Sequence, residues 1–439
     1  MPDRERSPAI LILVGLMLVF PMTCFLWWWA ANRSATQGGE PGPDDETMKL
    51  REGVSVLAPT PDWSELDAYQ QTITRDTFAK VLEEVYSQGP AWKTSVTIHE
   101  DHAIIRAPDE PYRLEFAARP LSTPPPRYWR AAVQMPLVES AAADRPLDGI
   151  KIAIDPGHIG GDWAKMEERW YQIGGQGTEV KEGELTLKVA QILKPQLEAM
   201  GATVTLVRDS HEPVTALRPA DLIELAKEDL AAKNQPPERA EAHSEIMFYR
   251  WSEIRARAKR INEEIQPDLV LCLHFNAESW GNPTSPSLTK RNHLHLLING
   301  TYSNAEFAKH DQRLDLMRRL LQRIHPEELA LSSAVADSMA DATRLPAYVY
   351  TKPTAKRIDD HPFVYARNLM ANRIYYCPIV FLEPYVMNSQ EVYDRIGAGD
   401  YEGERDVAGK KRRSIFREYA DGVAEGLAAY YREARPRVK

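Results

Sequence analysis

The sequence predicts an α/β protein in which a mostly parallel, twisted sheet carries helices on both faces. Two observations support this fold class. From residue 150 onward, short apolar runs such as KIAI, LVLCL and PIVFL alternate with amphipathic helical patterns, which indicates crossover connections between parallel strands. Three of these runs also lead into a histidine or a glutamate, and open α/β sheets bind ligands at the carboxyl ends of their strands. A smaller α+β region and an apolar N-terminal segment precede the sheet.

The composition is that of an ordinary globular protein. Of the 439 residues, 43% are hydrophobic and 27% are charged, which is typical of chains with normal cores. The formal net charge of −9 argues against nucleic-acid binding, because phosphate recognition needs a basic surface. The three cysteines, Cys24, Cys272 and Cys377, are too few and too widely spaced to indicate a disulfide framework or a structural zinc site.

The N-terminal segment is predicted to be a transmembrane signal anchor over residues 9–31. It contains no charged side chain and is long enough to span a bilayer. Trp27, Trp28 and Trp29 close it, as is common for aromatic residues at a membrane–water boundary. Signal peptidase needs small residues before the cut, which these tryptophans fit poorly, so we expect the anchor to stay uncleaved and the rest of the chain to be exported.

Two linkers frame a small α+β domain. Residues 32–48 form a polar segment with Gly and Pro, which is typical of a linker. Residues 49–136 then show one helical pattern, RDTFAKVLEEVYS, and alternating stretches at KTSVTIHE, HAIIRA and RLEFAA. No motif in this domain indicates a reaction. Residues 137–148 form the second linker, and residues 149–433 form the larger domain.

The elements of the larger domain can be predicted in order. The strand KIAI is followed by a loop and by the helix ELTLKVAQILKPQLEAMG, which ends at a C-cap glycine, Gly201. ATVTLV is a strand, and helices are predicted over about 219–232 and 239–264. DLVLCLH, HLHLLI and CPIVFLE are further strands, and FREYADGVAEGLAAYYREA closes the chain as an amphipathic helix.

Residues able to bind a metal or to transfer a proton follow three of the strands. KIAI leads through Asp-Pro-Gly to His158, LVLCL ends on His274, and PIVFL ends on Glu383. Because parallel strands bring their carboxyl ends to one edge of the sheet, we expect these side chains to meet there. Glu182 begins the helix after the first loop, and this helix start should face the same edge.

These residue types indicate a zinc-dependent hydrolase of amide bonds. Two imidazoles and one carboxylate are a common ligand set of catalytic zinc, which keeps a fourth position for water. A further carboxylate is needed to take the proton of that water and to pass it to the leaving amine. Glu179 and Glu184 flank Glu182, and helix N-termini favour acidic residues in any case. Spacing alone therefore does not decide which of the three glutamates at the helix start would bind the metal.

The larger domain resembles the zinc-dependent N-acetylmuramoyl-L-alanine amidases of the amidase type 3 family, which share the pattern DPGH…E…HxNA…E. The matching segments are IAIDPGHIGG, EGELTLKVAQIL, TLVRDS, ARAKRINEEIQPDLVLCLHFNA and CPIVFLEPYVMN, with VYARN upstream of the last. The resemblance runs in order over residues 149–431 and does not include the first 135 residues. It implies a phosphorylase/hydrolase-like catalytic domain.

The resemblance also implies the chemistry. His158, Glu182 and His274 would hold one Zn²⁺ per chain, and Glu383 would be the general base and then the general acid. The substrate would be peptidoglycan, cut at the amide between N-acetylmuramic acid and L-alanine. The enzyme would be anchored in a bacterial inner membrane by its N-terminal helix, with its catalytic domain in the periplasm or cell envelope, where an envelope or divisome activator is a possible partner.

Four further residues are candidates for substrate contact or for support of the metal ligands. Asn276 and Arg367 lie in matching segments and are expected to orient the substrate or the ligands. Trp163 and Trp170 lie in the long loop between His158 and Glu182, where tryptophans can stack on sugar rings or anchor the loop by packing.

The chain departs from the family pattern at several positions. Gly183 stands where a lysine is usual, Phe275 separates His274 from Asn276, and Pro384-Tyr385 replaces a Gly-Phe pair. Two insertions, at about 212–250 and 300–345, are long enough to act as lids or as docking arms for a partner.

Two other functions are compatible with parts of the pattern. A zinc carboxypeptidase acting on peptide tails would use similar ligands, but such enzymes usually place the first histidine and the glutamate only a few residues apart, unlike His158 and Glu182. A non-catalytic, amidase-like envelope protein would commonly lack a ligand or the base. All four residues are present here, which favours an enzyme.

Overall fold

A seven-stranded sheet lies at the centre of the larger domain. The structure is a computed structural model that describes residues 47–135 and 145–436. In chain order, the strands of these residues are β1 (Val96–Ile98), β2 (His102–Ile105), β3 (Tyr112–Glu115), β4 (Lys151–Pro156), β5 (Trp170–Gln172), β6 (Glu179–Lys181), β7 (Thr203–Leu206), β8 (Leu269–Leu273), β9 (Leu294–Ile298), β10 (Lys356–Arg357), β11 (Val364–Ala366), β12 (Ile379–Pro384), β13 (Glu404–Val407) and β14 (Lys410–Arg413).

The strand order of the central sheet is β10-β11-β9-β12-β8-β4-β7. The four strands β12, β8, β4 and β7 run parallel, and β9 pairs antiparallel with β12. The predicted mostly parallel sheet is therefore confirmed. Cys272 pairs with Asp155 of β4 on one side and with Phe381 of β12 on the other. This register brings the carboxyl ends of three parallel strands level with one another.

Helices flank both faces of the sheet. In chain order, the α-helices of the described residues are α1 (Arg75–Val81), α2 (Glu182–Ala199), α3 (Ile223–Ala232), α4 (Ala240–Ile246), α5 (Glu253–Lys259), α6 (Asn304–Phe307), α7 (His310–Leu321), α8 (Ile324–Thr343), α9 (Met370–Ile374), α10 (Gln390–Gly397) and α11 (Ile415–Ala434).

The two faces of the sheet pack into separate cores, because successive side chains of a strand point to opposite sides. Ile152 and Ile154 of β4 pack in a core with residues of α2, α8 and α11. Ala153, between them, packs in a second core that contains Ala258 and Ile261 from the other face. Burial on both faces explains why β4, β8 and β12 are continuous apolar runs in the sequence.

Most of the predicted helices are confirmed. The helix predicted over 219–232 consists of a 3₁₀ turn (Pro219–Leu222) followed by α3. The one predicted over 239–264 is a continuous helical stretch of α4, a π-helical segment (Met247–Ser252), α5 and a second π-helical segment (Arg260–Ile265). At the end of α2, Gly201 has φ +101°, the left-handed conformation expected of a C-cap glycine.

The region before the larger domain contains the three-stranded antiparallel sheet β1-β2-β3 and helix α1. Its hydrophobic cluster is completed by residues from the second insertion, among them Tyr302, Phe307 and Met317. Helix α7 of that insertion therefore packs against the N-terminal region. The described residues, 47–135 and 145–436, form one compact unit.

The first insertion packs against the loop that follows β4. Leu222, Met247 and Phe248 share a hydrophobic cluster with Ile159, and Trp163 is packed against that cluster. Within the part of the chain that the structure describes, no helix is long and apolar enough to cross a membrane. The predicted anchor at residues 9–31 lies outside the described residues.

Candidate active site

A cleft of about 720 Å³ opens at the carboxyl edge of the parallel strands. It is lined by His158, Glu182, His274 and Glu383, by residues of segments 165–170 and 274–283, and by Arg367. Among the described residues that line it, none belongs to the insertions at 212–250 and 300–345. The cleft therefore lies at the sheet edge that the strand-end residues predict.

His158, Glu182 and His274 meet in this cleft. Nε2 of His158 lies 3.2 Å from Oε2 of Glu182, and Nδ1 of His274 lies 3.1 Å from Oε1 of the same carboxylate. One ligand atom from each residue lies within 4.8 Å of the other two. Ligands placed about 2.0–2.2 Å from a tetrahedral zinc ion lie roughly 3.4 Å apart. The donor types and their spacing therefore fit zinc.

The turn that carries His158 depends on Asp155. Its carboxylate accepts a hydrogen bond from Arg257 Nη1 at 2.9 Å and one from the Tyr375 hydroxyl at 2.7 Å. The Arg257 guanidinium also donates to the carbonyl oxygens of Pro156 and His158, both at 2.8 Å. Because Arg257 and Asp155 are both buried, this network fixes the end of β4 with paired charges.

Glycine is required at position 157 by the approach of the second histidine. A Cβ atom on Gly157 would overlap the imidazole ring of His274. That ring is stacked on Phe381, with centroids 4.6 Å apart and an interplanar angle of 11°. His158 adopts φ +58°, an uncommon conformation for a non-glycine residue.

Glu182 is the carboxylate at the helix start that points into the site. Its side chain is nearly fully buried, and Oε1 accepts a hydrogen bond from the Phe275 backbone N–H at 3.1 Å. Glu179 and Glu184 instead pair with Lys181 at 3.3 and 3.2 Å. Of the three glutamates, only Glu182 therefore has its carboxylate inside the His158–His274 cluster.

The charge state of Glu182 is set by its neighbours. Burial alone would raise its pKa, but His158 and His274 outweigh this effect and lower the pKa of Glu182 to about 2. Arg169 adds to the stabilisation, since its Nε lies 3.3 Å from Oε2. The carboxylate is therefore negatively charged, as a metal ligand must be.

Glu383 lies at the end of β12 and faces the same cleft. Burial raises the pKa of Glu383 to about 7, a shift to which the charge of Glu182 adds and which His274 opposes. A carboxylate with a pKa near neutrality can both accept and donate a proton at physiological pH.

The other predicted residues differ in where they lie. Asn276 and Arg367 line the cleft, and the Asn276 side chain accepts a hydrogen bond from the Ala277 N–H at 2.6 Å. Trp170 also lines the cleft but is only 9% exposed, and its Nε1 donates to Glu179 at 3.2 Å. Trp163 does not line it. The centroid of its ring lies 5.1 Å from that of Phe248, so Trp163 anchors the loop by packing.

Arg257, Trp280 and Glu167 are among the residues near the site that were not identified from the sequence. Arg257 lies in a matching segment, four residues after its ion-pair partner Glu253. This spacing predicts an ion pair on a helix, but it does not predict that Arg257 also holds the turn before His158. Trp280 lines the cleft from the segment after His274. Glu167 lies beside His158 in a loop without periodicity, and no sequence pattern points to it.

A family model described as N-acetylmuramoyl-L-alanine amidase matches residues 152–404. A comparison with curated protein sequences gives no match. The CwlD amidase from Clostridioides difficile, solved in complex with the GerS lipoprotein, is 11% identical; the alignment covers 64% of this chain and 98% of that chain, with a TM-score of 0.36.

Two further solved amidases are similar. Ami1 from Mycobacterium abscessus, an N-acetylmuramyl-L-alanine amidase solved in its apo form, is 17% identical over 65% of this chain and 99% of that chain, with a TM-score of 0.35. The N-acetylmuramoyl-L-alanine amidase AmiC2 of Nostoc punctiforme is 14% identical over 65% and 99%, with a TM-score of 0.34. With TM-scores below 0.5, the assignment rests on the family model, whose match includes more than half of the chain. As its motifs predict, the chain belongs to the N-acetylmuramoyl-L-alanine amidase family.

Proposed function

We propose that this amidase cleaves the amide bond between the lactyl group of N-acetylmuramic acid and L-alanine in peptidoglycan, with one Zn²⁺ held by His158, Glu182 and His274. The observation that carries the proposal is the meeting of these three residues with Glu383 in one cleft. Three of the four residues follow different strands, so their meeting depends on the whole sheet.

When bound, zinc supplies a Lewis acid that polarises the scissile carbonyl and lowers the pKa of water. Glu383 accepts a proton from the attacking water as the water oxygen bonds to the lactyl carbonyl carbon. It then donates that proton to the alanine nitrogen as the C–N bond breaks. The products are a lactyl carboxylate and a peptide with a free α-amine. The pKa of Glu383 near 7 suits both transfers.

Substrate contacts are assigned to residues that line the cleft around these groups. Arg367 and Asn276 would orient the substrate near Glu383, and Trp170 would offer its exposed edge to a sugar ring or peptide. Trp163 is left out of this assignment because it packs on Phe248.

The cellular location is proposed from the sequence. The uncharged segment 9–31 supports a single-pass anchor in a bacterial inner membrane, with the catalytic domain in the periplasm or cell envelope. One similar amidase was solved with a lipoprotein, which makes an envelope protein a reasonable partner to seek here. Protease treatment of intact spheroplasts tests the orientation: an exported domain is digested, whereas a cytoplasmic one is protected.

Replacement of Glu383 by Gln tests the proposed reaction. We expect the full-length wild type to bind zinc and to release new L-alanine amino termini from purified peptidoglycan. Glu383→Gln should retain zinc and lose about 10²–10⁴-fold in rate, because it removes the proton acceptor and donor. Dansylation of the released amines measures the rate, and metal analysis measures zinc.

The control is Glu402→Gln, which changes an exposed carboxylate that pairs with Arg417 outside the cleft. Release of D-alanine in place of new L-alanine termini would instead identify a carboxypeptidase. A wild type that binds zinc without cleaving any bond would identify a non-catalytic envelope protein, and a wild type without zinc in metal-replete buffer would contradict the proposal.

A further inference from the structure

We propose that Glu167 is a positioning residue that holds His158 in the orientation needed to bind zinc. This inference rests on the proposed function of the His158, Glu182 and His274 cluster. It concerns a loop residue that the family pattern does not include, and its support comes from two sets of contacts and from the burial of Glu167.

The first set concerns the imidazole ring of His158, whose two nitrogens face different carboxylates. Nε2 lies 3.2 Å from Glu182 Oε2, and Nδ1 lies 3.5 Å from Glu167 Oε1. A carboxylate beside Nδ1 favours the tautomer that is protonated there, which leaves the lone pair on Nε2. Nε2 is the nitrogen that faces the other two ligands.

The second set concerns the backbone after His158. The Glu167 carboxylate accepts hydrogen bonds from the Ile159 N–H at 3.0 Å and from the Gly160 N–H at 3.2 Å. These amides directly follow His158, whose φ of +58° is unfavourable for an L-residue without support. One carboxylate therefore holds both the ring and the turn that presents it.

The third observation is the burial of Glu167 itself. The residue is only 3% exposed, and a buried carboxylate is costly unless it is paired and hydrogen-bonded. In the part of the chain that the structure describes, its ion-pair partner is His158. The loop is anchored from its other side, because the Trp163 backbone carbonyl accepts a hydrogen bond from the Glu167 N–H at 3.0 Å and the Trp163 ring packs on Phe248. This arrangement directs the carboxylate at His158.

The experiment measures the zinc dissociation constant by competition with a chromogenic chelator. It compares the wild type with Glu167→Gln and with Glu327→Gln. Glu327 is a matched control, since its carboxylate is partly buried and accepts the Ala132 N–H at 2.9 Å but does not line the cleft. We expect about 10- to 100-fold weaker zinc binding for Glu167→Gln, and less than about twofold for Glu327→Gln.

A spectroscopic measurement separates positioning from general destabilisation. In ¹⁵N-histidine-labelled, zinc-loaded wild type, we expect a protected proton on Nδ1 of His158, and in Glu167→Gln we expect that signal to be lost or shifted while other histidine signals stay. Unchanged affinity, or an unchanged Nδ1 signal in a variant with weaker binding, would show that Glu167 only supports the fold. Failure of the wild type to bind zinc would overturn the proposed function itself, so the two failures are distinguishable.

Discussion

The residues of the turn before His158 have separate physical tasks. The Asp155 carboxylate accepts hydrogen bonds from Arg257 and Tyr375. Gly157 has no side chain and so leaves room for the His274 ring. His158 then presents its ring from a left-handed backbone conformation. Different neighbours therefore explain the residues of the Asp-Pro-Gly-His motif: Asp155 pairs with Arg257, and Gly157 makes room for the His274 ring.

Removal of the Arg257 charge should destabilise the fold. In Arg257→Met, the Asp155 and Glu253 carboxylates lose their buried partner. A buried ion pair that loses one member typically costs about 3–5 kcal/mol. Urea denaturation should show a loss of this size in the free energy of unfolding. Lys259→Met, on the exposed face of the same helix, should change it by less than about 0.5 kcal/mol; an equal loss in both variants would contradict this explanation.

At the scale of elements, the first turn of α2 packs directly on the loop after β4. A Cβ on Gly183 would overlap the backbone of Ile159 and Gly160. A side chain at this position would meet that backbone, so the path of this loop explains the glycine where the resemblance predicts a lysine. Trp163 is partly buried against residues of the first insertion, and this packing supports the loop from the other side.

Substitution of Gly183 should test this contact. Alanine is favoured over glycine inside a helix by about 1 kcal/mol, but here its Cβ meets backbone, which cannot move aside cheaply. We expect Gly183→Ala to lower the melting temperature and to weaken zinc binding, because Glu182 and His158 lie on the two sides of the contact.

Gly397→Ala at the end of α10 is the matched control, since its nearest neighbour is the Thr178 hydroxyl at 3.3 Å. It should leave both the melting temperature and the zinc affinity close to those of the wild type. A stabilised Gly183→Ala variant would refute the steric explanation.

At the scale of the whole molecule, buried histidines make stability depend on pH. Burial lowers the pKa of His295 to about 3 and that of His325 to about 4, from a usual value of 6.5. At these two positions the unfolded chain therefore binds more protons than the folded one below about pH 6.5, so the contribution of the two histidines to stability falls as the pH falls through this range. Asp359 opposes the shift at His325, and Arg319 adds to it.

Denaturation curves at pH 5 and pH 7 measure this dependence. His295 and His325 should lower the free energy of unfolding of the wild type at pH 5 relative to pH 7. His325→Gln, which lacks the ionisable ring and lies on α8 outside the cleft, should show a smaller difference between the two pH values. An identical difference in both proteins would mean that His325 does not contribute.

The sequence predicts those parts of the site that follow from regular structure. His158, His274 and Glu383 follow parallel strands, and parallel strands end at one edge. The direction of β9 was not predictable, because an apolar run has the same pattern in either direction. Glu167 and the packing of Trp163 were not predictable either, since they depend on a loop whose conformation is set by contacts with the first insertion.

The position of β12 in the sheet has a consequence for synthesis of the protein. This strand lies between β9 and β8, yet it is translated after both of them and brings Glu383 with it. A nascent chain that ends at α8 contains His158, Glu182 and His274 but lacks the strand between β9 and β8, and with it Glu383, the proposed proton acceptor. Under the proposed mechanism, truncated or incompletely translated copies should be unable to hydrolyse the substrate, and activity should arise only when nearly the whole polypeptide has been made.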